Sequence, residues 1–392
     1  MKFSFQKLLL FSIFILIFSI PAKTFAQDSS HIRISLLTCT PGEELYSIFG
    51  HSAIRIVDSS SVTDYVYNYG TFNFDDEGFY LKFIRGKLMY YISLADFRDF
   101  KFEYQTTNRG ITEQVLDLSA IEKIDIQYIL NENLKEENKY YKYDFFLDNC
   151  TTRLRDIIIK SKSPNPVLPA VMPVTTTFRN AIHLYLDKSK QYWSKLGIDI
   201  LLGAPTDAVM TISQQQFLPY NLMKALDSTS NVSIISSSKE LYDLQPSQQN
   251  FSWFTPMVFF TLLLLLFFAL GSSRNSTAQM ILSGLDGTLF FIVGMLGILL
   301  IFMMTGTDHS MTKANYNVLW ALPTHLLISF FINSRKKIVK LYFLIVAISL
   351  GILMISWFFL PQQMNNALLV LVLLLWYRAV SRYLRINAQT KS

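Results

Sequence analysis

Asp148-Asn149-Cys150-Thr151-Thr152-Arg153-Leu154-Arg155-Asp156 reads as the start of a helix with a cysteine at its mouth. Peptide dipoles at such an end favour a thiolate, and the Cys150 N–H would be one donor to an oxyanion. Upstream, Phe49-Gly50-His51-Ser52-Ala53-Ile54-Arg55-Ile56 reads as a strand carrying His51, whose neutral imidazole can accept a thiol proton. The chain has only two cysteines and five histidines in 392 residues, so a pair of this kind cannot hide in a crowd. If the two side chains meet, the protein is a thiol-nucleophile enzyme.

Around these two stretches the pattern is α+β. Residues 31–37 alternate apolar and polar side chains, the period of a half-buried strand. Segments 53–57 and 65–69 are rich in β-branched and aromatic residues, and 112–118 is a fourth candidate strand. Helices are expected over 75–86, 121–139, 177–186 and 217–226, with 140–145 an extended approach to Cys150. The prolines between Pro164 and Pro173 predict a surface loop, and the Ser/Gln-rich stretch 231–250 predicts a linker. The order His first, Cys second is the reverse of papain and fits a circularly permuted papain-like core. The third, base-orienting or oxyanion-binding group is not legible: Tyr69, Asn68 and Asn149 are candidates, with Asp148 a rival.

Composition says where such a domain works. Half the chain is hydrophobic (51%), with a mean hydropathy of +0.28. Lys2, Lys7, an apolar run over 8–20 and small residues at Thr24 and Ala26 predict a signal peptide over 1–26. An exported domain over 27–250 follows, in a compartment that permits disulfides. Five apolar stretches, 253–270, 282–304, 318–332, 340–359 and 365–382, predict an all-α membrane domain of about five transmembrane helices over 251–392. The third is short and carries Pro323, Thr324 and His325. Arg274, Arg335, Lys336, Lys337, Arg378, Arg382 and Arg385 fall on one side, against only Lys313 on the other. The positive-inside rule then puts the C-terminus in the cytoplasm and the large domain outside. The net charge of +6 is spread without a concentrated basic patch, which speaks against nucleic-acid binding. Neither metal-ligand spacing nor a phosphate-cradling glycine loop occurs, so no metal or cofactor is expected.

A plainer reading competes. Cys39 and Cys150 could form a disulfide in the exported domain, with His51 a satisfied core imidazole. Cys39 as nucleophile has little to activate it, because Thr40-Pro41-Gly42 after it is a turn. His31 and His183 read as structural or exposed. The loop from Asp308 and His309 to Asn317 could meet a lipid headgroup or be a solvated connector. His325 fits either function within a span or an interhelical hydrogen bond. Cys39, Arg55, Arg153, Asp308, His309 and Asn317 stand as candidate substrate or headgroup contacts.

Taken in order, 37–44, Phe49 to Arg55, Asn68-Tyr69-Gly70-Thr71-Phe72 and Asn149-Cys150-Thr151-Thr152 resemble the periplasmic domain of the Lnb-type lipoprotein N-acyltransferases. Thr177-Phe178-Arg179, 202–207, Phe217-Leu218-Pro219 and Asp308-His309 with Asn315-Tyr316-Asn317, Trp320 and Pro323 extend the resemblance over nearly all of the mature chain. It implies acyl transfer at the outer face of the inner membrane. The partners would be membrane lipid and lipoproteins bearing a diacylglyceryl-modified N-terminal cysteine. Cys150 would form the acyl-thioester and His51 would move the protons. The donor would be a glyceryl ester of the same lipoprotein or a phospholipid. Two rivals remain: a membrane-tethered cysteine peptidase or amidase of the NlpC kind, and a non-enzymatic binding module. Oligomeric state is not legible.

Overall fold

β1 (Ile32–Cys39), β2 (His51–Asp58) and β3 (Thr63–Thr71) run as an antiparallel meander. Their β-branched and aromatic residues suit a pleated surface covered on both faces. A computed structural model describes residues 31–242 and 253–389; the expected leader at 1–26 lies outside them. After β3 come α1 (Phe79–Ile84), β4 (Met89–Asp96), α2 (Phe97–Thr106), β5 (Ile111–Leu116), α3 (Ala120–Leu134) and β6 (Tyr140–Lys142). Then follow α4 (Cys150–Ser161), α5 (Phe178–Lys188), α6 (Tyr192–Leu201), α7 (Ile212–Gln215), α8 (Pro219–Asp227) and β7 (Ile235–Tyr242). The strands form one antiparallel sheet in the order β6-β4-β3-β2-β1-β5-β7.

Side-chain alternation sends neighbours in β1 to opposite faces. Leu36 joins Ile54, Leu154 and Ile158 under α3 and α4, whereas Leu37 joins Val66, Phe100 and Tyr104 under α2. β7 corrects the linker expected over 231–250. Ser236-Ser237-Ser238-Lys239-Glu240 is exposed on both faces, so no burial pattern marks it, yet its backbone pairs with β5. A polar edge strand of this kind leaves little trace in hydrophobic periodicity.

The second domain comprises α9 (Pro256–Ser272), α10 (Ser276–Thr305), α11 (Thr324–Ser329), α12 (Lys337–Ser356) and α13 (Asn366–Gln389). Among the described residues, three helical stretches are long and apolar enough to cross a membrane: Ser276–Thr305, Lys337–Phe359 and Asn366–Asn387; α9 is shorter. The stretch 318–332, expected as a span, holds only the six-residue α11 behind a short 3-10 turn. Pro323 interrupts the hydrogen-bond ladder there. The irregular backbone is instead accommodated by Gly294 and Gly297 of α10, which lie against Leu326 and Ala321. Deep in this bundle, Asp286 accepts from Arg378 Nε (2.7 Å) and Arg382 Nε (2.6 Å), so its charge is paired on two sides.

The two domains meet at the end of α6, where a helix leaves its last carbonyls without intrahelical partners. Asn315 Nδ2 donates to Ile200 O (2.7 Å) and Gln362 Nε2 to Leu202 O (2.9 Å). The loops after α10 and after α12 therefore supply the cap. Behind them Arg179, fully buried, pairs with Asp199 (2.9 Å) and Asp207 (2.9 Å), and Asp199 also accepts from Asn365 Nδ2 (2.9 Å).

Candidate active site

Asn149 sets the start of α4. Its Oδ1 accepts from the N–H groups of Thr151 (2.8 Å) and Thr152 (2.9 Å), and Thr152 Oγ1 accepts from Asn149 N–H (2.8 Å). This reciprocal cap satisfies orphan donors and fixes the helix mouth. Asn149 Nδ2 is spent on Phe145 O (2.7 Å) and Phe217 O (2.9 Å), so the side chain positions Cys150 rather than facing a substrate. Cys150 is the first residue of α4, and its own N–H has no partner among the described residues.

His51 opens β2, against which α4 packs. Gly50 before it has φ +83°, and a Cβ there would lie 2.6 Å from Cys39 O. Only glycine adopts that backbone without strain, and it lets β2 start beside the end of β1. Gly70, at φ +87°, has the same function on β3, where a Cβ would sit 3.8 Å from Cys150 Cβ and 3.4 Å from Tyr143 Cε2. The strands thus leave room for one thiol. His51 is hydrogen-bonded to Cys150, and its Nε2 lies 3.3 Å from Asn68 Oδ1. The Ser52 N–H donates to the sulfur, and Ser52 Oγ meets Thr151 Oγ1 at 3.1 Å, pinning strand to helix.

Electrostatics in the cluster oppose burial. Burial raises the Cys150 thiol, but the charge and hydrogen bond of His51, the Ser52 N–H and the Thr151 hydroxyl outweigh it, bringing the thiol down to about 7. Burial likewise lowers His51, while the facing sulfur and Asn68 outweigh it and hold the imidazole above its ordinary value. The two shifts have one cause, the mutual attraction of a thiolate and an imidazolium held side by side. Cys39 is directly opposite His51 across the β1–β2 pairing. Burial pushes it up to about 12 despite a hydrogen bond from Tyr104. Both cysteines are free thiols, so the disulfide alternative is not what the structure contains.

The remaining candidates are placed elsewhere. The Tyr69 hydroxyl accepts from Asn133 Nδ2 (2.6 Å) rather than meeting His51. Arg153 is forked onto Asp148 (2.7 Å) and lies 3.6 Å over the Tyr141 ring, which also takes Asp148 out of the orienting role. Arg55 is held by Asp64 (2.6 Å) and Glu113 (3.2 Å) above Phe97 and is not available to a headgroup. Asp308 pairs with Lys142 (2.7 Å), and His309 Nε2 is 3.1 Å from Ile84 O. Asn317 is buried and donates to Asp199 O (3.1 Å). These three outer-loop residues join the domains instead of awaiting lipid. Sequence reasoning missed Ser52 and Thr151, whose only signal was adjacency to His51 and Cys150. It also missed Arg179 with Asp199 as the joint. Among the described residues, no group of three or more His, Cys, Asp or Glu side chains could hold a metal ion.

Fold and site define a class: a membrane protein whose N-terminal α+β domain buries a Cys–His–Asn cluster and is joined by polar contacts to an apolar helical domain. The Lnb N-terminal periplasmic domain matches residues 22–181 and the Lnb transmembrane domain matches residues 247–390. The chain belongs to the Lnb family, as a bacterial membrane protein with an N-terminal periplasmic part, and membership points to lipoprotein maturation. No curated protein and no solved structure matches it.

Proposed function

We propose that this protein is a lipoprotein N-acyltransferase that works through an acyl-thioester on Cys150. The observation that carries the reading is the buried Cys150–His51–Asn68 cluster, with its thiol brought to about 7, in a domain fastened to membrane helices. The order of His51 on β2 before Cys150 on α4 suits a permuted papain-like core. Asn68 engages Nε2, which leaves Nδ1 for the thiol proton. The thiolate attacks a glyceryl ester carbonyl of the diacylglyceryl lipoprotein. The Cys150 N–H donates to the oxyanion. As the C–O bond breaks, His51 protonates the leaving glyceryl oxygen and the thioester remains. The free α-amino group of the lipoprotein then attacks the thioester. His51 takes its proton, the thiolate leaves and an amide is formed. No water or external reductant is consumed.

The membrane reading has its own support. Ala321 lies on Gly297 and Asn333 accepts from Ser283, so this segment runs antiparallel to α10 over the fourteen residue steps from Ser283 to Gly297. That is about 21 Å at 1.5 Å per residue. Counted with α9, α10, α12 and α13, it supports the reading of five passages, and the basic residues Arg274, Arg335, Lys336 and Lys337 then support a cytoplasmic C-terminus.

The test is mass spectrometry of lipoprotein N-terminal peptides from cells carrying the wild type, Cys150→Ala or His51→Ala, with variant abundance measured in the same membranes. N-acylation lost in both stable variants is the expected result. Unchanged N-acylation overturns the proposal and favours the peptidase or binding-module reading.

A further inference from the structure

Residues 72–86 form an element that the proposed chemistry does not use. Phe74, Tyr80, Leu81, Phe83 and Ile84 are all exposed, Tyr80 by 75% and Leu81 by 60%. Contiguous exposed aromatic and aliphatic side chains on a water-facing surface are costly. This element is fastened to the outer end of a membrane helix. Asp308 N–H donates to Arg85 O (3.0 Å), and His309 Nε2 is 3.2 Å from Phe83 O and 3.1 Å from Ile84 O. Asp308 and His309 lie only three and four residues beyond Thr305, the end of α10. Asp75, Asp76 and Glu77 precede α1, with Asp76 holding Lys82 (2.7 Å), while Arg85 and Lys87 follow it toward the α10 loop. Aromatic residues and cations at such a boundary suit acyl chains and phosphate headgroups respectively.

We propose that the 72–86 element seats in the outer leaflet of the bilayer, apolar side chains down and cations at headgroup level, and opens the lipid path to Cys150. Behind it runs an unbroken aromatic line. Phe83 stacks on Phe79 (6.2 Å), Phe79 packs tilted on Phe72 (5.9 Å), Phe72 meets Tyr90 edge to face (5.4 Å) and Tyr90 stacks on Tyr143 (4.4 Å). Tyr143 and Cys150 both pack against the Gly70 position, Tyr143 Cε2 3.4 Å and Cys150 Cβ 3.8 Å from where its Cβ would be. The path, though not the seating, rests on the acyl-transfer reading. Nitroxide labels on Leu81→Cys and Phe83→Cys in Cys150→Ala protein, held in nanodiscs of phosphatidylethanolamine and phosphatidylglycerol, report depth. Ser60→Cys is the aqueous reference, since it lies at the far end of β3, about 30 Å away. Oxygen collisions should exceed those with a water-soluble nickel chelate at 81 and 83 and not at 60; equal water exposure at all three overturns the seating. Phe83→Asp should then lower kcat/KM on bilayer-borne lipoprotein about 10-fold with Cys150 alkylation unchanged. Full activity in Phe83→Asp, with Cys150→Ala inactive, overturns the path alone, whereas equal activity in Cys150→Ala and wild type overturns the acyl-transfer reading.

A separate observation concerns Tyr141 of β6. Its hydroxyl is buried without a hydrogen-bond partner, and it lies 4.0 Å from the point where a Gly70 Cβ would be, with Cys150 Cβ 3.8 Å from the same point. An orphaned buried donor beside a nucleophile is a cost that a developing oxyanion would relieve. We infer that the Tyr141 hydroxyl is the second oxyanion donor, joining the Cys150 N–H. Tyr141→Phe should lower kcat about 100-fold, leave KM and the alkylation profile of Cys150 in place, and leave thermal stability equal or higher. Full activity in a Tyr141→Phe protein, beside an inactive Cys150→Ala, refutes the assignment.

Discussion

Removing the His51 imidazole should cost Cys150 its thiolate before any catalytic step is considered. In the native cluster the thiol is at about 7, against about 9 for a free thiol, because His51 and the Ser52 N–H overcome burial. At neutral pH about half of the sulfur is then ionised, whereas a thiol at about 9 is ionised to about 1%. His51→Ala deletes the largest favourable interaction and leaves burial in place, so the midpoint should rise to about 9 or beyond. The rate of carboxamidomethylation by iodoacetamide, followed by peptide mass spectrometry from about pH 5 to about pH 10, reads that midpoint directly. Its high-pH plateau reports access to the sulfur and is divided out. Wild type should reach half its plateau near about pH 7, and His51→Ala should react about 50-fold more slowly there. Cys39 is an internal reference: 1% exposed and pushed up to about 12, it should stay unlabelled over this range. Equal midpoints in the two proteins, or labelling of Cys39 ahead of Cys150, would refute the ion-pair argument.

Three further perturbations follow from the same geometry. Asn68→Ala frees the imidazole to rotate, and loss of a hydrogen bond to a charged ring, worth about 1.5–3 kcal/mol, should reduce kcat about 10- to 100-fold with KM nearly constant in steady-state assays. Gly50→Ala forces a Cβ toward Cys39 O at a positive φ; about 1–3 kcal/mol of strain should appear as a lower Tm of the purified protein. Arg179→Met takes the cation from buried Asp207 and leaves Asp199 with only His183 and Asn365, at about 3–5 kcal/mol. Burial already raises Asp207 against the pull of Arg179, so without that arginine its folded value rises further above the unfolded one. Such a group favours the fold when protonated, so the loss of Tm should be smaller at about pH 5 than at about pH 8.

The sheet's inner strands were legible from the apolar–polar alternation over 31–37 and the β-branched and aromatic runs over 53–57 and 65–69, which fall within β1, β2 and β3 apart from His31. β7 was not, since an edge strand can be held by backbone bonds alone, and its serines carry no periodic signal. The proposed nucleophile and base stood out by scarcity and by their neighbours, a glycine before His51 and an asparagine before Cys150. Asn68 was readable only as a polar residue, because its function depends on the bend at Gly70 and on the β3 bulge between Asn68 and Thr71, neither of which residue type reveals. The protein partners of the outer-loop residues Asp308, His309 and Asn317 were not legible for a related reason. Polar side chains on a loop at a membrane face look free until the partner surface, here the carbonyls of α1 and α6, is folded against them.

That joint bears on the site itself. Asp144 ends the approach to α4: its Oδ1 accepts from Phe146 N–H (2.9 Å) and its Oδ2 from the Ser310 hydroxyl of the loop after α10. Two residues earlier, Lys142 is paired with Asp308 of the same loop. Asn149 Nδ2 in turn fixes Phe217 O, and Phe217-Leu218-Pro219 leads into α8 beside Gly50. The turn that presents Cys150 is thus braced by the membrane loop on one side and by the His51 strand on the other. A soluble hydrolase with one anchor helix would have no use for the first brace. In a protein whose substrate ester lies at the lipid boundary, the same brace fixes the distance from thiol to bilayer, which is the quantity an acyl transfer between lipid-borne groups depends on.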